Sequence, residues 1–149
     1  MEQKNNGIKK YLLFKLRNDE YGIDIKKITK IIQKNMKITR VPKTSDYIKG
    51  VINLRGEIIP IVNLRKRLGL EDSVFTRETG IIVLKLGDAS IGIIVDCVQE
   101  VIELADASIE SANDISTDMS FDYVSGVGNK DGRIITLFDL EKLLDIKSE

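Results

Sequence analysis

The 149-residue chain predicts an all-β fold, two five-stranded β-barrels packed together with a short helix after each repeat. Three observations lead there. Short runs rich in Ile, Val, Leu and Tyr are cut by turn residues along the whole chain, the mark of strands rather than long helices. The stretch YIKGVINLRGEIIPIVNLRKRLGL, residues 47–70, returns as YVSGVGNKDGRIITLFDLEKLLDI, residues 123–146. At a constant offset of 76 the two agree at ten of 24 positions, where unrelated segments share roughly one or two. An earlier unit repeats at an offset of 70, which lays Lys15 on Lys85, Leu16 on Leu86, Gly22 on Gly92, Ile28 on Val98 and Ile32 on Ile102. The repeats imply one domain over 8–146, divided into sub-barrels of about 11–75 and 76–146, behind a flexible tail of residues 1–7.

The elements follow in order. YLLFKL and YGIDI flank the turn RNDE, and IIVLKL and IGIIV flank GDAS, so each copy opens with a hairpin. Gly50 and Gly126 then precede a strand, and Gly56 and Gly132 sit in a tight turn before Ile58-Ile59 and Ile134-Ile135. Asp131-Gly132 suits a hairpin turn whose two central residues need positive φ. Pro60 inside a strand predicts an edge or a bulge. The period then changes: Leu64 and Leu68, and Leu140 and Leu144, have the spacing of one helical face, with Asn63 and Asp139 as N-caps. The connectors between the paired units differ. Lys26 to Lys43 holds seven Lys or Arg and no acid, whereas ELADASIESANDISTDMSFD holds six acids and no base.

Composition removes several functions. With no histidine, the chain lacks the commonest general base and metal ligand. The single cysteine, Cys97, has no internal disulfide partner and reads as a small buried hydrophobe. Apolar runs such as GIIVLKL stop far short of the roughly 18 residues of a membrane span, and the polar start is unlike a signal peptide, so a cytoplasmic protein with no membrane insertion is expected. The net charge of zero conceals an asymmetry: residues 1–75 hold 17 Lys and Arg against 8 acids, and the remainder holds 6 against 15. Such a dipole suits two partners of different charge. A small barrel with a basic connector also suits nucleic acid, the alternative function. The aromatic content of 5% and the absence of tryptophan count against base stacking.

Candidate sites stand beside simpler readings. GVGNKDG has hairpin rather than phosphate-loop spacing. Asp114, Asp118 and Asp122 recur every fourth residue, unlike the alternate ligands of a calcium loop. Arg55, in the turn NLRG, reads alone as a solvated turn residue, yet its copy in the second half is Asp131. Ile28, Ile31, Val98 and Val101 occupy positions just after each hairpin and suit either a core or an apolar groove between barrels.

The runs YIKGVINLRGEIIPIVNLRKRL, GIIVDCVQEV and LFDLEKLL resemble the CheW family of bacterial chemotaxis coupling proteins, from about Ile8 to Ile146. The resemblance implies two five-stranded SH3-like barrels, no catalysis, no cofactor and no metal. It implies an adaptor between the cytoplasmic tips of chemoreceptors and the regulatory domain of the histidine kinase CheA. Such a protein is a monomer alone, forms arrays with its partners, and is recruited to them at the inner face of the membrane. By motif, Ile28, Ile31, Arg55, Val98 and Val101 correspond to receptor-binding positions, and Ile38, Arg40, Val41 and Gly50 to kinase-binding positions. The chain departs from the family pattern at Lys30, where many members have glutamate, at Asn63, where aspartate is usual, and in lacking a second proline before YIKG.

Overall fold

The computed structural model describes residues 7–33, 37–111 and 123–144. Eleven strands account for most of them. β1 (Ile8–Leu16) and β2 (Asp19–Asp24) form the first hairpin, and β6 (Gly80–Leu86) and β7 (Ala89–Val95) its copy. β4 (Ile48–Leu54) pairs with β5 (Glu57–Asn63), and β10 (Val124–Lys130) with β11 (Arg133–Phe138). The connectors are not loops. They carry β3 (Ile28–Ile32), β8 (Cys97–Ala105) and β9 (Ile109–Ser111). Two short helices, α1 (Leu64–Arg67) and α2 (Leu140–Leu144), follow β5 and β11.

Local chemistry explains these elements. Asn63 caps α1 by accepting from the Lys66 amide at 3.3 Å, and Asp139 accepts from the Lys142 amide at 3.2 Å. Both β-turns have a left-handed pair, Arg55 and Gly56 at φ 53° and 89°, and Asp131 and Gly132 at 53° and 87°. Each turn is braced by an asparagine whose Oδ1 accepts from the glycine amide, Asn53 from Gly56 at 2.9 Å and Asn129 from Gly132 at 3.2 Å.

The compact units are not the sequence halves. One unit comprises residues 1–25 and 99–149, the other residues 26–98. Their sheets have the orders β8-β1-β2-β11-β10-β9 and β3-β6-β7-β5-β4. Each hairpin therefore completes the unit built from the other copy, which corrects the sub-barrels expected at 11–75 and 76–146. The reason lies in the connection lengths. β3 is antiparallel to β6, which is antiparallel to β7, so β3 runs parallel to β7. Closure of the first copy on itself would set β3 parallel to β2 with β1 between them, and parallel strands of one sheet need a crossover of a dozen or more residues. Only the single turn Ile25–Lys27 lies between β2 and β3, and only Asp96 between β7 and β8. Three residues reach about 10 Å, too short to return along a strand. The chain must instead run on into the other unit.

Among the described residues, one apolar cluster lies within each unit. Tyr11, Leu13, Leu104, Ile135 and Leu137 fill the first unit, and Ile32, Ile52, Ile59, Ile61, Ile81, Val83 and Ile94 the second. Pro60 lies in an interior strand with its partner Val51 directly opposite, and the β4–β5 register shift falls elsewhere, between Ile48 and Gly50. Val51 exchanges both backbone hydrogen bonds with Thr39, so the Val51–Pro60 pair is a non-hydrogen-bonded one. The missing amide of Pro60 faces the β7 side, just before that ladder begins at Ile61. Residues 1–6 of the expected tail lie outside the described residues, whereas the Gly7 carbonyl, just before β1, accepts from the Asp106 amide at 2.7 Å.

Candidate partner-binding surfaces

Arg55 is exposed at the tip of the β4–β5 turn and forms no ion pair among the described residues. Its backbone is left-handed, a conformation that suits Gly, Asn or Asp in this kind of turn and costs other residues roughly 1–2 kcal/mol. Beside it Ile58 is 58% exposed, and at the equivalent place beside Asp131 Ile134 is 59% exposed. The sequence read both isoleucines only as the start of the strand after the turn, although their identical position in the repeat was visible.

Ile28 and Ile31 lie on β3, the first half-buried and the second exposed. Val98 and Val101 on β8 repeat that pattern. Gly80 stands between Val98 and the end of β3: a Cβ added there would lie 2.7 Å from Val98 Cγ2 and 3.7 Å from the Ile32 carbonyl oxygen. Ile28, Ile31 and Val98 belong to the second unit and Val101 to the first.

Ile38, Arg40, Val41 and Gly50 come together around β4. The segment 38–41 joins the sheet by a single bridge, Thr39 to Val51, with hydrogen bonds of 2.9 and 2.8 Å. Pro42 follows at once, and proline supplies no ladder donor. Ile38 packs against the core cluster, while Arg40 and Val41 are exposed. Gly50 is buried at φ 153°, and an added Cβ would meet the Thr39 carbonyl oxygen at 2.3 Å. Asp114, Asp118 and Asp122 lie outside the described residues. Cys97 is half-buried at the start of β8 rather than fully buried.

Two charged clusters were not read from sequence. Arg65 meets Asp96 in a fork, Nε to Oδ1 at 2.9 Å and Nη2 to Oδ2 at 2.5 Å, and its Nη1 donates to the Glu71 carbonyl at 2.9 Å. The hydrogen bonds to Asp96 raise the Arg65 pKa above the usual arginine value. Asn63 Nδ2 donates to Asp72 Oδ1 at 2.9 Å, which holds that carboxyl below its ordinary 3.8. In the other unit Arg133 bridges Glu20 at 2.7 Å and Glu100 at 3.2 Å. One signal was available for the first pair: the repeat places Glu141 at the position of Arg65 and Lys26 at that of Asp96, so both signs invert together.

The second cluster sets an acid response. Hydrogen bonding from Arg133 holds the Glu20 carboxyl below its ordinary 4.5, with desolvation opposing it. A carboxylate whose folded pKa is depressed adds stability above its unfolded pKa, and that stability is lost as pH falls through the folded value. Stability is expected to fall as pH drops below the ordinary glutamate value of 4.5, and Glu20→Gln to flatten the drop. Urea melts across that range check this, and parallel curves for the two proteins would refute the assignment.

The fold defines a class first, mostly β proteins made of two small units, each built from segments of both repeats. The chain belongs to the CheW family: the CheW-like domain model matches residues 10–148. It is 40% identical over 134 residues to a chemotaxis protein CheW from Klebsiella aerogenes, covering 90% of this chain and 80% of the relative. A CheW from Bacillus subtilis is 37% identical over 142 residues, 93% of this chain and 88% of the relative. Among solved structures, the scaffolding protein TtCheW from Thermoanaerobacter tengcongensis superposes with a TM-score of 0.84 at 33% identity, covering 95% of each chain. The mostly β architecture is consistent with the SH3-like barrels the resemblance implied, with six strands rather than five in the first unit's sheet, and the protein is a chemotaxis scaffold.

Proposed function

We propose that this scaffold couples the cytoplasmic tips of chemoreceptors to the histidine kinase CheA, with no covalent chemistry of its own. The observation that carries the reading is the CheW-like match over residues 10–148. The receptor contact uses Ile28, Ile31, Val98 and Val101 with Arg55, and the kinase contact uses Arg40 and Val41, held out by the core-anchored Ile38 and by Gly50. Charge supports two unlike partners. The unit of residues 26–98 holds 14 Lys and Arg against 7 acids, and the other unit holds 9 against 16. No helix among the described residues is long and apolar enough to cross a membrane. Work at the inner membrane face then rests on recruitment by the receptors.

The receptor contact is tested by titrating a helical receptor-tip peptide into 15N-labelled protein. Shifts are expected at Ile28, Ile31, Val98 and Val101, and Val98→Asp is expected to weaken binding by about 1–4 kcal/mol, the effect of losing a buried anchor. Shifts confined to the acidic segment after β8 would refute the assignment. For the kinase contact, Val41→Asp is the informative variant, because Ile38→Asp would also damage the core. Unchanged affinity for the CheA regulatory domain would remove Val41 from that surface.

A further inference from the structure

We propose that Arg65 is a positioning residue that clamps the crossover between the two units and so sets how Val98 is presented; this rests on the receptor reading of Val98 given above. Asp96, the only residue between β7 and β8, lies just before the chain leaves the second unit, after Val98. Arg65 seizes Asp96 with two nitrogens, its side chain 16% exposed and that of Asp96 25% exposed. Its third nitrogen holds the Glu71 carbonyl, while the neighbouring cap Asn63, itself 7% exposed, holds Asp72. One guanidinium thus ties together α1, the segment after it and the crossover. A planar fork fixes orientation as well as distance, which a lysine ammonium does not. Two residues past Asp96, Val98 sits over Gly80 with no room for a further carbon between them, so a shift of the crossover moves Val98. The repeat adds a separate observation. In the repeat, Lys26 and Glu141 stand at the positions of Asp96 and Arg65, so the two positions carry opposite signs in both copies, with each sign inverted.

Cys97, the only cysteine and the residue after Asp96, is a built-in reporter. In the full-length protein, Arg65→Met and Asp96→Asn are expected to speed maleimide labelling of Cys97 about fivefold or more, through local opening, with the circular dichroism spectrum unchanged. Both are expected to weaken the receptor-tip peptide about tenfold. The exchange Arg65→Asp with Asp96→Arg restores both readouts in part, and Arg65→Lys keeps the charge while losing the fork, giving an intermediate rate. Wild-type labelling in Arg65→Met, or in Arg65→Lys should the first variant not fold, overturns the clamp. Faster labelling with unchanged peptide affinity overturns its link to Val98. Val98→Asp separates the two ideas: normal peptide binding by that variant defeats the receptor reading alone, because the labelling result stands without it.

Discussion

Gly50→Ala is expected to lower stability by about 3 kcal/mol or more and to abolish kinase binding, the largest effect of any single methyl group on this chain. Two causes add. The residue sits at φ 153°, where L side chains are strained, and the added Cβ would lie 2.3 Å from the Thr39 carbonyl oxygen and 2.9 Å from Ile38 Cγ2. The first atom is backbone in a hydrogen-bonded bridge, so relief requires breaking the pair of hydrogen bonds between Thr39 and Val51. That bridge is what holds Arg40 and Val41 beside β4. Gly56→Ala is the control: its φ is 89°, but nothing lies within 4 Å of the added carbon. It is expected to cost only the conformational term of about 1 kcal/mol and to leave kinase binding intact. Denaturant melts and titration of the CheA regulatory domain decide between them. Equal stability losses in the two variants would show that the contact with Thr39 relaxes freely.

Arg55→Glu is expected to reduce receptor-dependent kinase activation at least about tenfold while changing stability by no more than about 0.5 kcal/mol. Asp131→Lys, at the equivalent turn, is expected to do little to activation. The left-handed backbone sharpens the test. Asp131 suits its turn and Arg55 does not, so Arg55→Asn should stabilise the fold by about 0.5 kcal/mol or more while weakening coupling. A residue held in the turn at such a cost without function would yield the first effect and not the second. Kinase autophosphorylation in reconstituted receptor arrays measures coupling, and thermal melts measure the fold. Normal activation and attractant inhibition by Arg55→Glu would return Arg55 to the status of a solvated turn residue.

The hairpins, the left-handed turn at Asp131-Gly132, the caps at Asn63 and Asp139 and the duplication were legible in the chain because each rests on interactions within a few residues, or on a repeat that needs no structure to see. Pro60 marks where that reading ends. Its tolerance inside a sheet depends on which side Val51 turns its hydrogen bonds, and Thr39 decides that from twelve residues away. The Arg65–Asp96 fork spans 31 residues and two elements, and only its sign inversion in the repeat was visible beforehand. The largest difference is the exchange of hairpins. Two copies of one pattern offer the same apolar faces and the same backbone partners, so hydrophobicity cannot say which hairpin closes which unit. Sheet order decides it: once β3 must lie parallel to the hairpin's second strand, a three-residue link forbids closure within one copy. The sequence by itself determined the hairpins, the tight turns and the family; the tertiary structure decided the connector strands and which strands pair, since the reach of a short link matters only when the strands it joins have places to occupy.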